Sequence, residues 1–347
     1  MQAAKINQAG DFVYFEYSTT KMLVVEPEQT KVLWENIGEK PKKPSFDDIL
    51  IGSNVRVPLT NKSEYAECYM EINQHFIYCK TKSSMKTVNY MDLINTRVEV
   101  RDGNIKGVPF YFLVFSKGKK YDNLIFKDKA TRDRWISKLF KYCTFGQFDM
   151  FYKESTTLLG EGSYGQVRKC NRIGNENKFY AVKSYIKSKY LDNKVQIQLQ
   201  RDEVNILRQL DHPNVMKIWG IFEDDKEVKI VSDCYYGGNL YKRLEKGSLD
   251  YRETLEVIRR ILKGLAYLET KNIVHRDIKT QNIVFKYEDG SFDLAIVDFG
   301  FSLNWKNLKQ SPPIYGTLGY FGPEILRLEP FDCRADVYSV GIIMFEM

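Results

Sequence analysis

The sequence contains no long apolar run and no cysteine motif. No stretch approaches the ~18 consecutive apolar residues that a membrane-spanning helix needs, and the N-terminus has no apolar core of a signal peptide. The six cysteines show no CxxC spacing, which argues against a zinc site or a disulfide framework, and there is no EF-hand pattern. These absences predict a cytosolic protein with reduced, mostly buried thiols.

The composition is that of a globular protein with an uneven charge. The 347 residues are 43% hydrophobic and 28% charged, and at ~150 residues per domain the length predicts about two domains. The net charge is +7, and residues 45–145 hold 17 Lys/Arg against 11 Asp/Glu. Nearly all of the basic excess lies in this segment, which favours an anionic partner for it. A solvated basic surface is the alternative.

Residues 1–45 form an N-terminal segment for which the pattern predicts no particular fold. Its last part, Glu39–Pro44, alternates lysine with proline. Proline blocks both helix and sheet, and lysine stays in water, so this stretch is predicted to be a linker.

Residues 46–143 have the pattern of a small β domain that ends in a helix. Turn residues at 101–104 and at Gly118 predict two reversals of the chain. From Lys129 to Tyr142 the apolar residues, Trp135 among them, recur at helical spacing. Short aromatic and β-branched stretches before this helix predict strands at 66–72, 75–80, 96–101, 110–115 and 124–126.

This order of antiparallel strands followed by a helix with a buried tryptophan resembles a pleckstrin homology domain, a β-barrel with a C-terminal helix. Phosphoinositide-binding members of that family carry a basic cluster around the loop between the first two strands. Here that region offers Arg56 and Lys62 without a second basic pair, and Glu64 opposes phosphate. The resemblance therefore implies weak attraction to an anionic membrane, which would make the protein peripheral to it, or a contact with another protein. No nucleic acid partner is expected.

A glycine-rich segment follows, with Gly160, Gly162 and Gly165 after a predicted strand at 156–159. Val167 and the residues after it continue as a second strand, so the segment predicts a β-hairpin rather than the strand-to-helix turn of a dinucleotide site. Without Cβ atoms, the glycines let the backbone approach phosphate oxygens. Taken alone, the motif would favour an ordinary hairpin with a flexible turn.

The apolar strand 179–183 ends in Lys183, and Glu203 lies twenty residues later in a stretch of helical periodicity. Leu199, Ile206, Leu207 and Leu210 place Glu203 on or beside the apolar face of that helix. An unpaired buried carboxylate is costly, and Lys183 is the natural partner. The alternative is a solvated Glu203 at the edge of the face.

Two further motifs, His275–Asn282 and Asp298-Phe299-Gly300, contain side chains that are suited to catalysis. In His275–Asn282, Asp277 is suited to orient a substrate hydroxyl and take its proton, and Asn282 to hold Mg²⁺. Lys279 adds positive charge, and Asp298 follows a buried strand as the main Mg²⁺ ligand. A helix whose stripe comprises Leu255, Ile258, Ile261, Leu262, Leu265 and Leu268 leads into the first motif and is predicted to be a core helix. A plain polar loop is the alternative for the first motif.

In their order and spacing these motifs resemble a eukaryotic protein kinase catalytic domain over residues 152–347. The resemblance implies an α+β, two-lobed fold with an N-lobe at 152–236 and a C-lobe at 237–347, ATP and Mg²⁺ as cofactors, and protein substrates. Lys279 and Gly316-Thr317 resemble the serine/threonine class. The implied catalytic residues are Asp277, Lys279, Lys183 and Glu203, and the implied metal ligands are Asn282 and Asp298. The implied ATP-binding residues are Gly160, Glu161, Gly162, Ser163, Tyr164, Gly165, Val167, Ala181, Lys183, Asp233, Tyr235 and Val284.

The resemblance also implies a switch and a rival function. Arg276 beside Asp277 is typical of kinases activated by phosphorylation, for which Ser311 is the predicted acceptor, while Thr317 supports the catalytic loop. Asp336 opens a segment similar to the central helix of the C-lobe, and the chain ends inside it, so an incomplete C-lobe is expected. The rival function is a catalytically incompetent scaffold that binds ATP or partners.

Overall fold

The structure is a computed structural model. It describes residues 96–347 except 106–107, 118–119, 127, 163–164, 190–192 and 308–313, and before residue 96 it describes 5–6, 13–14, 51–58, 65–72, 76–81 and 87–93. Several predictions from the sequence fall outside these residues. They are the linker Glu39–Pro44, the side chains of Arg56, Lys62 and Glu64, and residues Ser163, Tyr164 and Ser311.

The described residues contain both helices and strands, in a mixed α+β arrangement. The strands are β1 Lys5–Ile6, β2 Val13–Tyr14, β3 Ile51–Pro58, β4 Tyr65–Ile72, β5 Phe76–Thr81, β6 Thr87–Asp92, β7 Arg97–Ile105, β8 Val108–Lys117, β9 Lys120–Phe126, β10 Thr144–Phe145, β11 Tyr152–Gly162, β12 Gly165–Arg172, β13 Asn175–Ile186, β14 Ile218–Glu223, β15 Glu227–Asp233, β16 Ile273–Val274, β17 Ile283–Phe285, β18 Leu294–Ile296 and β19 Leu303–Asn304. The helices are α1 Lys129–Leu139, α2 Lys194–Gln209, α3 Leu240–Leu244, α4 Tyr251–Thr270, α5 Pro323–Leu326 and α6 Arg334–Glu346. No helix among the described residues is long and apolar enough to span a membrane.

The chain divides into two compact units. The first comprises Met1–Phe148 with Gly220–Asp225, and the second comprises Asp149–Trp219 with Lys226–Met347. The sequence assigns 220–225 to the N-lobe segment, whereas in the structure these residues belong to the first unit.

In the first unit, strands β3 to β9 form antiparallel pairs, and α1 follows them. The strand order is β7-β8-β9-β3-β4-β5-β6. Asp128 caps α1 by accepting a hydrogen bond from the backbone N–H of Thr131 at 2.7 Å. Trp135 on α1 is fully buried, with its ring edge-to-face on Phe126. The apolar face of the helix thus closes the core over β8 and β9.

The reversal predicted at 101–104 is wrong. Gly103 lies inside β7, paired with Phe110 of β8, and β7 continues to Ile105. Asp102 forms an ion pair with the buried guanidinium of Arg132 on α1, and this contact supports the strand conformation of the polar stretch. The helix predicted over 129–142 ends at Leu139.

In the second unit, strands β11, β12, β13 and β15 are neighbours in an antiparallel sheet, α2 lies in the chain between β13 and β15, and the helical part follows β15. Asn193 caps α2 by accepting from Val195 N at 3.0 Å. Helix α4 begins with a capping box made by Asp250 and Glu253. It packs against α6, β16 and β18, and so delivers the chain to the loop that begins at His275.

The predicted core face of α4 is partly wrong. Leu255 and Leu262 are exposed, whereas Val257 and Gly264 are buried together with Ile261, Leu265 and Leu268. The packed face is therefore rotated relative to the predicted one, towards the side that α6 and β18 cover.

Candidate active site

The glycine segment forms the hairpin between β11 and β12. Gly160 pairs with Val167, and Gly162 pairs with Gly165. A Cβ on Gly165 would lie 1.8 Å from the carbonyl oxygen of Ser184, while a Cβ on Gly160 would meet nothing within 4 Å. Gly165 is therefore required by the close approach of β12 to β13, and the space around Gly160 stays open. The tip residues Ser163 and Tyr164 lie outside the described part of the chain.

Lys183 and Glu203 form an ion pair. Lys183 Nζ donates to Glu203 Oε1 at 3.0 Å, and the Glu203 side chain is 2% exposed. The pair joins β13 to α2. Removing one partner of such a buried pair usually costs about 3–5 kcal/mol because the other charge is left uncompensated. The position of α2 is therefore tied to the Lys183 ammonium.

Asp298 is the second partner of Lys183. Its Oδ1 accepts from Lys183 Nζ at 2.9 Å, and about half of its side chain is exposed. The Lys183 charge lowers the pKa of Asp298 to about 2, against the opposing effect of burial. Burial alone would lower the pKa of Lys183, but the carboxylates of Asp298 and Glu203 hold it well above the ordinary lysine value. Lys183 and Asp298 are therefore both charged at neutral pH.

The loop His275–Asn282 contains Asp277, which is 4% exposed. Thr317 Oγ1 donates to Asp277 Oδ1 at 2.7 Å, and Asn282 Nδ2 donates to Asp277 Oδ2 at 3.1 Å. Lys279 Nζ lies 2.7 Å from Asp277 Oδ2 and donates to Thr317 Oγ1 at 2.9 Å. The carboxylate is thus held by three different side chains, from two segments of the chain.

Asp336 fixes the backbone at the start of this loop. Its carboxylate accepts from His275 N at 2.6 Å and from Arg276 N at 2.9 Å, and burial raises its pKa. Arg276 and Asp298 adopt positive φ angles of 69° and 65°, which are unusual for residues other than glycine. The two hydrogen bonds to Asp336 stabilise the strained turn at Arg276.

The aromatic rings of Phe301 and Tyr315 pack near Arg276. The rings of Phe301 and Tyr315 are parallel with centroids 5.4 Å apart, and the Arg276 guanidinium lies 5.3 Å from the Tyr315 centroid. Burial lowers the pKa of Arg276 to about 10. At Gly316, φ is 123° and a Cβ would lie 2.2 Å from the Arg276 carbonyl oxygen, so this position requires glycine.

The other residues predicted to bind ATP lie on β11, β12, β13, β15 and β17 and on the segment after β15. Val167 pairs with Lys183, and Ala181 pairs with Ser232. Asp233 accepts from Trp219 Nε1 at 2.7 Å. Tyr235 is half-buried, and Val284 lies on β17, bridged to Asn239. Glu161 is exposed and accepts from Gln166 Nε2 at 3.2 Å, within the hairpin.

The donor set fits a Mg²⁺ ion shared with a nucleotide. Both hydrogen bonds described for the Asn282 side chain use its amide nitrogen Nδ2. Within the described residues the side-chain oxygen Oδ1 therefore stays available as a ligand. Asp298 offers a half-exposed carboxylate. Mg²⁺ prefers such oxygen ligands and commonly takes one or two from the protein, with water and phosphate supplying the others. Among the described residues no group of three or more His, Cys, Asp or Glu could hold a metal alone.

Sequence reasoning missed the role of two tyrosines. Tyr185 donates its hydroxyl to Glu203 Oε2, and Tyr320 donates to Glu346 at 2.8 Å while contacting the Thr280 hydroxyl at 3.3 Å. The one signal available for Tyr185 is its position two residues after Lys183, which places both side chains on one face of β13. Nothing in the sequence pattern marks Tyr320.

Comparisons with known proteins agree with this geometry. The family described as protein kinase domain matches residues 153–347. Calcium-dependent protein kinase 5 of Plasmodium berghei (strain Anka) is 34% identical over 199 residues, which is 57% of this chain and 34% of that protein. Human calcium/calmodulin-dependent protein kinase type IV is 36% identical over 198 residues, covering 57% of this chain and 40% of that protein. The chain thus spans about a third to two fifths of these relatives.

Proposed function

We propose a function from the premise that this chain belongs to the protein kinase domain family, whose model matches more than half of its residues. It transfers the γ-phosphate of ATP to serine and threonine hydroxyls of protein substrates. The observation that carries the proposal is the position of Lys183 Nζ, within 3.0 Å of Glu203 and 2.9 Å of Asp298. Phosphoryl transfer by protein kinases needs this combination of a paired lysine and a metal-binding aspartate.

Each residue has a task that follows from its surroundings. Lys183, oriented by Glu203, would contact the α- and β-phosphates, and Asp298 and Asn282 would hold Mg²⁺. The ion supplies positive charge to the phosphate oxygens when it is bound. Asp277 would orient the substrate hydroxyl and take its proton, since its carboxylate is fixed by Thr317, Asn282 and Lys279. Lys279 also lies where it can neutralise charge on the transferred group.

The preference for serine and threonine is supported by the contact between Lys279 and Thr317. The two side chains lie 2.9 Å apart and both contact Asp277. This lysine and threonine are the positions at which the sequence resembles the serine/threonine class. The names of the matched relatives are those of protein kinases, which agrees with protein substrates.

The first unit is proposed to be a pleckstrin homology-like accessory domain over residues 46–143. The antiparallel strands β3 to β9, followed by α1 with its buried Trp135, support this proposal. Its basic excess suits weak attraction to an anionic membrane, with the protein otherwise in the cytosol. Binding to vesicles with and without phosphatidylserine tests this, and binding that does not depend on the anionic lipid would contradict it.

The kinase proposal is tested by transfer of labelled phosphate from ATP to a generic basic protein. Asp298→Asn should abolish the signal because it removes the negative charge of a proposed Mg²⁺ ligand and one of the two carboxylate partners of Lys183. Asp289→Asn is the matched control, since Asp289 lies in the turn between β17 and β18, accepts a hydrogen bond from Ser291 N at 2.8 Å, and is not among the predicted site residues. Phosphoamino-acid analysis should give phosphoserine and phosphothreonine. Equal signals from wild type and Asp298→Asn would favour the scaffold function instead.

A further inference from the structure

Tyr185 contacts both members of the Lys183–Glu203 ion pair. Its hydroxyl donates to Glu203 Oε2, and its ring lies beneath Lys183 Nζ, 5.0 Å from the centroid. Tyr185 is 5% exposed and Glu203 is 2% exposed. Ala181, Lys183 and Tyr185 occupy alternate positions along β13, so their side chains leave the strand on the same face, the one that meets Glu203.

The two oxygens of Glu203 are divided between two donors. Oε1 accepts from Lys183 and Oε2 accepts from Tyr185. A carboxylate this buried is costly unless both oxygens are satisfied. A lysine alone supplies only one of the two contacts, so the second donor decides whether Glu203 is fully compensated.

Lys183 is not dedicated to Glu203, because the same ammonium also donates to Asp298 at 2.9 Å. Under the proposed function, ATP phosphates compete for this ammonium as well. A hydrogen bond from Tyr185 does not depend on that competition. It holds the carboxylate, and with it α2, whether Lys183 faces Glu203, Asp298 or phosphate.

Tyrosine is the residue type that meets both requirements. Phenylalanine at this position would keep the ring beneath the ammonium but would lose the donor to Glu203. An aliphatic side chain would lose both. Burial and the adjacent Glu203 carboxylate raise the pKa of Tyr185 well above its ordinary value, so the hydroxyl keeps its proton at neutral pH.

We propose that Tyr185 is a positioning residue that holds Glu203, and through it α2, in the arrangement that lets Lys183 bind ATP phosphates. The proposal rests on the kinase function proposed above. It contrasts with a purely structural role, in which Tyr185 fills core volume and its hydroxyl is incidental.

The test compares Tyr185→Phe with Tyr180→Phe in the full chain, by titration with MgATP. Tyr180 is a matched control because it is a buried tyrosine of the same strand on the opposite face, packed on the rings of Tyr152 and Trp219. Loss of one hydrogen bond to a charged group should weaken MgATP binding about tenfold in Tyr185→Phe. Tyr180→Phe should change it less than twofold, roughly the level of a surface substitution.

Two further measurements separate positioning from packing. In a double-variant cycle, Tyr185→Phe should add nothing to the loss caused by Glu203→Gln, because the first substitution acts through the second residue. Without nucleotide, hydrogen exchange of the α2 backbone amides should become faster in Tyr185→Phe and stay unchanged in Tyr180→Phe.

Unchanged MgATP affinity in Tyr185→Phe, or additive losses in the cycle, would overturn the inference while leaving the kinase function intact. A wild-type chain that binds no MgATP would overturn both, and the hydrogen-exchange result would still report on the contact of Tyr185 with α2.

Discussion

Thr317 donates its hydroxyl hydrogen to Asp277 Oδ1 across 2.7 Å, although forty residues separate them in the chain. The same hydroxyl accepts from Lys279 Nζ at 2.9 Å. The Thr317 oxygen therefore contacts both Asp277 and Lys279. The orientation of Asp277 depends on the correct placement of Thr317.

Thr317→Val should lower kcat about tenfold or more while the KM for ATP stays unchanged, because it removes one hydrogen bond to a charged group and keeps the shape of the side chain. Steady-state kinetics with a protein substrate measure both constants. Thr317→Ser retains the hydroxyl and serves as the control. A serine variant as impaired as the valine variant would show that the methyl group, and not the hydroxyl, is what the site requires.

Tyr315 should matter through its ring and not through its hydroxyl. The ring stacks on Phe301 and lies 5.3 Å from the Arg276 guanidinium, which itself donates to the Phe301 carbonyl oxygen. Since cation–π and stacking contacts each contribute roughly 0.5–1.5 kcal/mol, Tyr315→Ala should lower kcat/KM about tenfold. Tyr315→Phe should retain wild-type activity. The assay uses phosphatase-treated protein, and an impaired Tyr315→Phe variant would contradict the role of the ring.

Much of the site could be predicted because its residues combine motif spacing with a physical cost. Glu203 lies on an apolar helical face and needs a cationic partner, and the strand that precedes this helix supplies Lys183. The functional roles assigned to the site residues remain predictions, and Ser163, Tyr164 and Ser311 in addition lie outside the described part of the chain. The predicted hairpin at 160–165 likewise followed from glycines flanked by strand-forming residues.

The rest depended on neighbours that a local pattern does not contain. On α4, Leu255 and Leu262 have the right spacing for a core face, but α6 and β18 cover the adjacent face instead. At 101–104, turn-forming residues remain in β7, where Asp102 pairs with Arg132 of α1. Tyr185 resembles any aromatic residue of a buried strand until the structure places its hydroxyl on Glu203.

The ion pair between Lys183 and Asp298 predicts how stability changes in acid. Lys183 lowers the pKa of Asp298 from 3.8 to about 2, so the ion pair contributes its full stabilisation of the folded state above pH 3.8. This stabilisation is lost as the pH falls through the pKa that Asp298 has in the folded state. The difference in urea midpoint between wild type and Asp298→Asn should therefore stay constant from neutral pH to 3.8 and narrow below it. A difference that widens in acid would contradict the direction of the shift.

Among the described residues, Trp135 is the largest fully buried side chain, so its loss should destabilise the first unit. Its side chain is fully buried between α1 and the strands, edge-to-face on Phe126. Truncating a buried tryptophan leaves a large cavity, so Trp135→Ala should lower the free energy of unfolding of this unit by about 3–5 kcal/mol. Calorimetry measures the loss, and titration with MgATP should show no change because the residues proposed to bind the nucleotide belong to the second unit. Lys138→Ala, at an exposed position of the same helix, is the control and should shift stability by less than about 0.5 kcal/mol. If the two variants were equally stable, the packing of α1 on the strands would not be what holds this unit together.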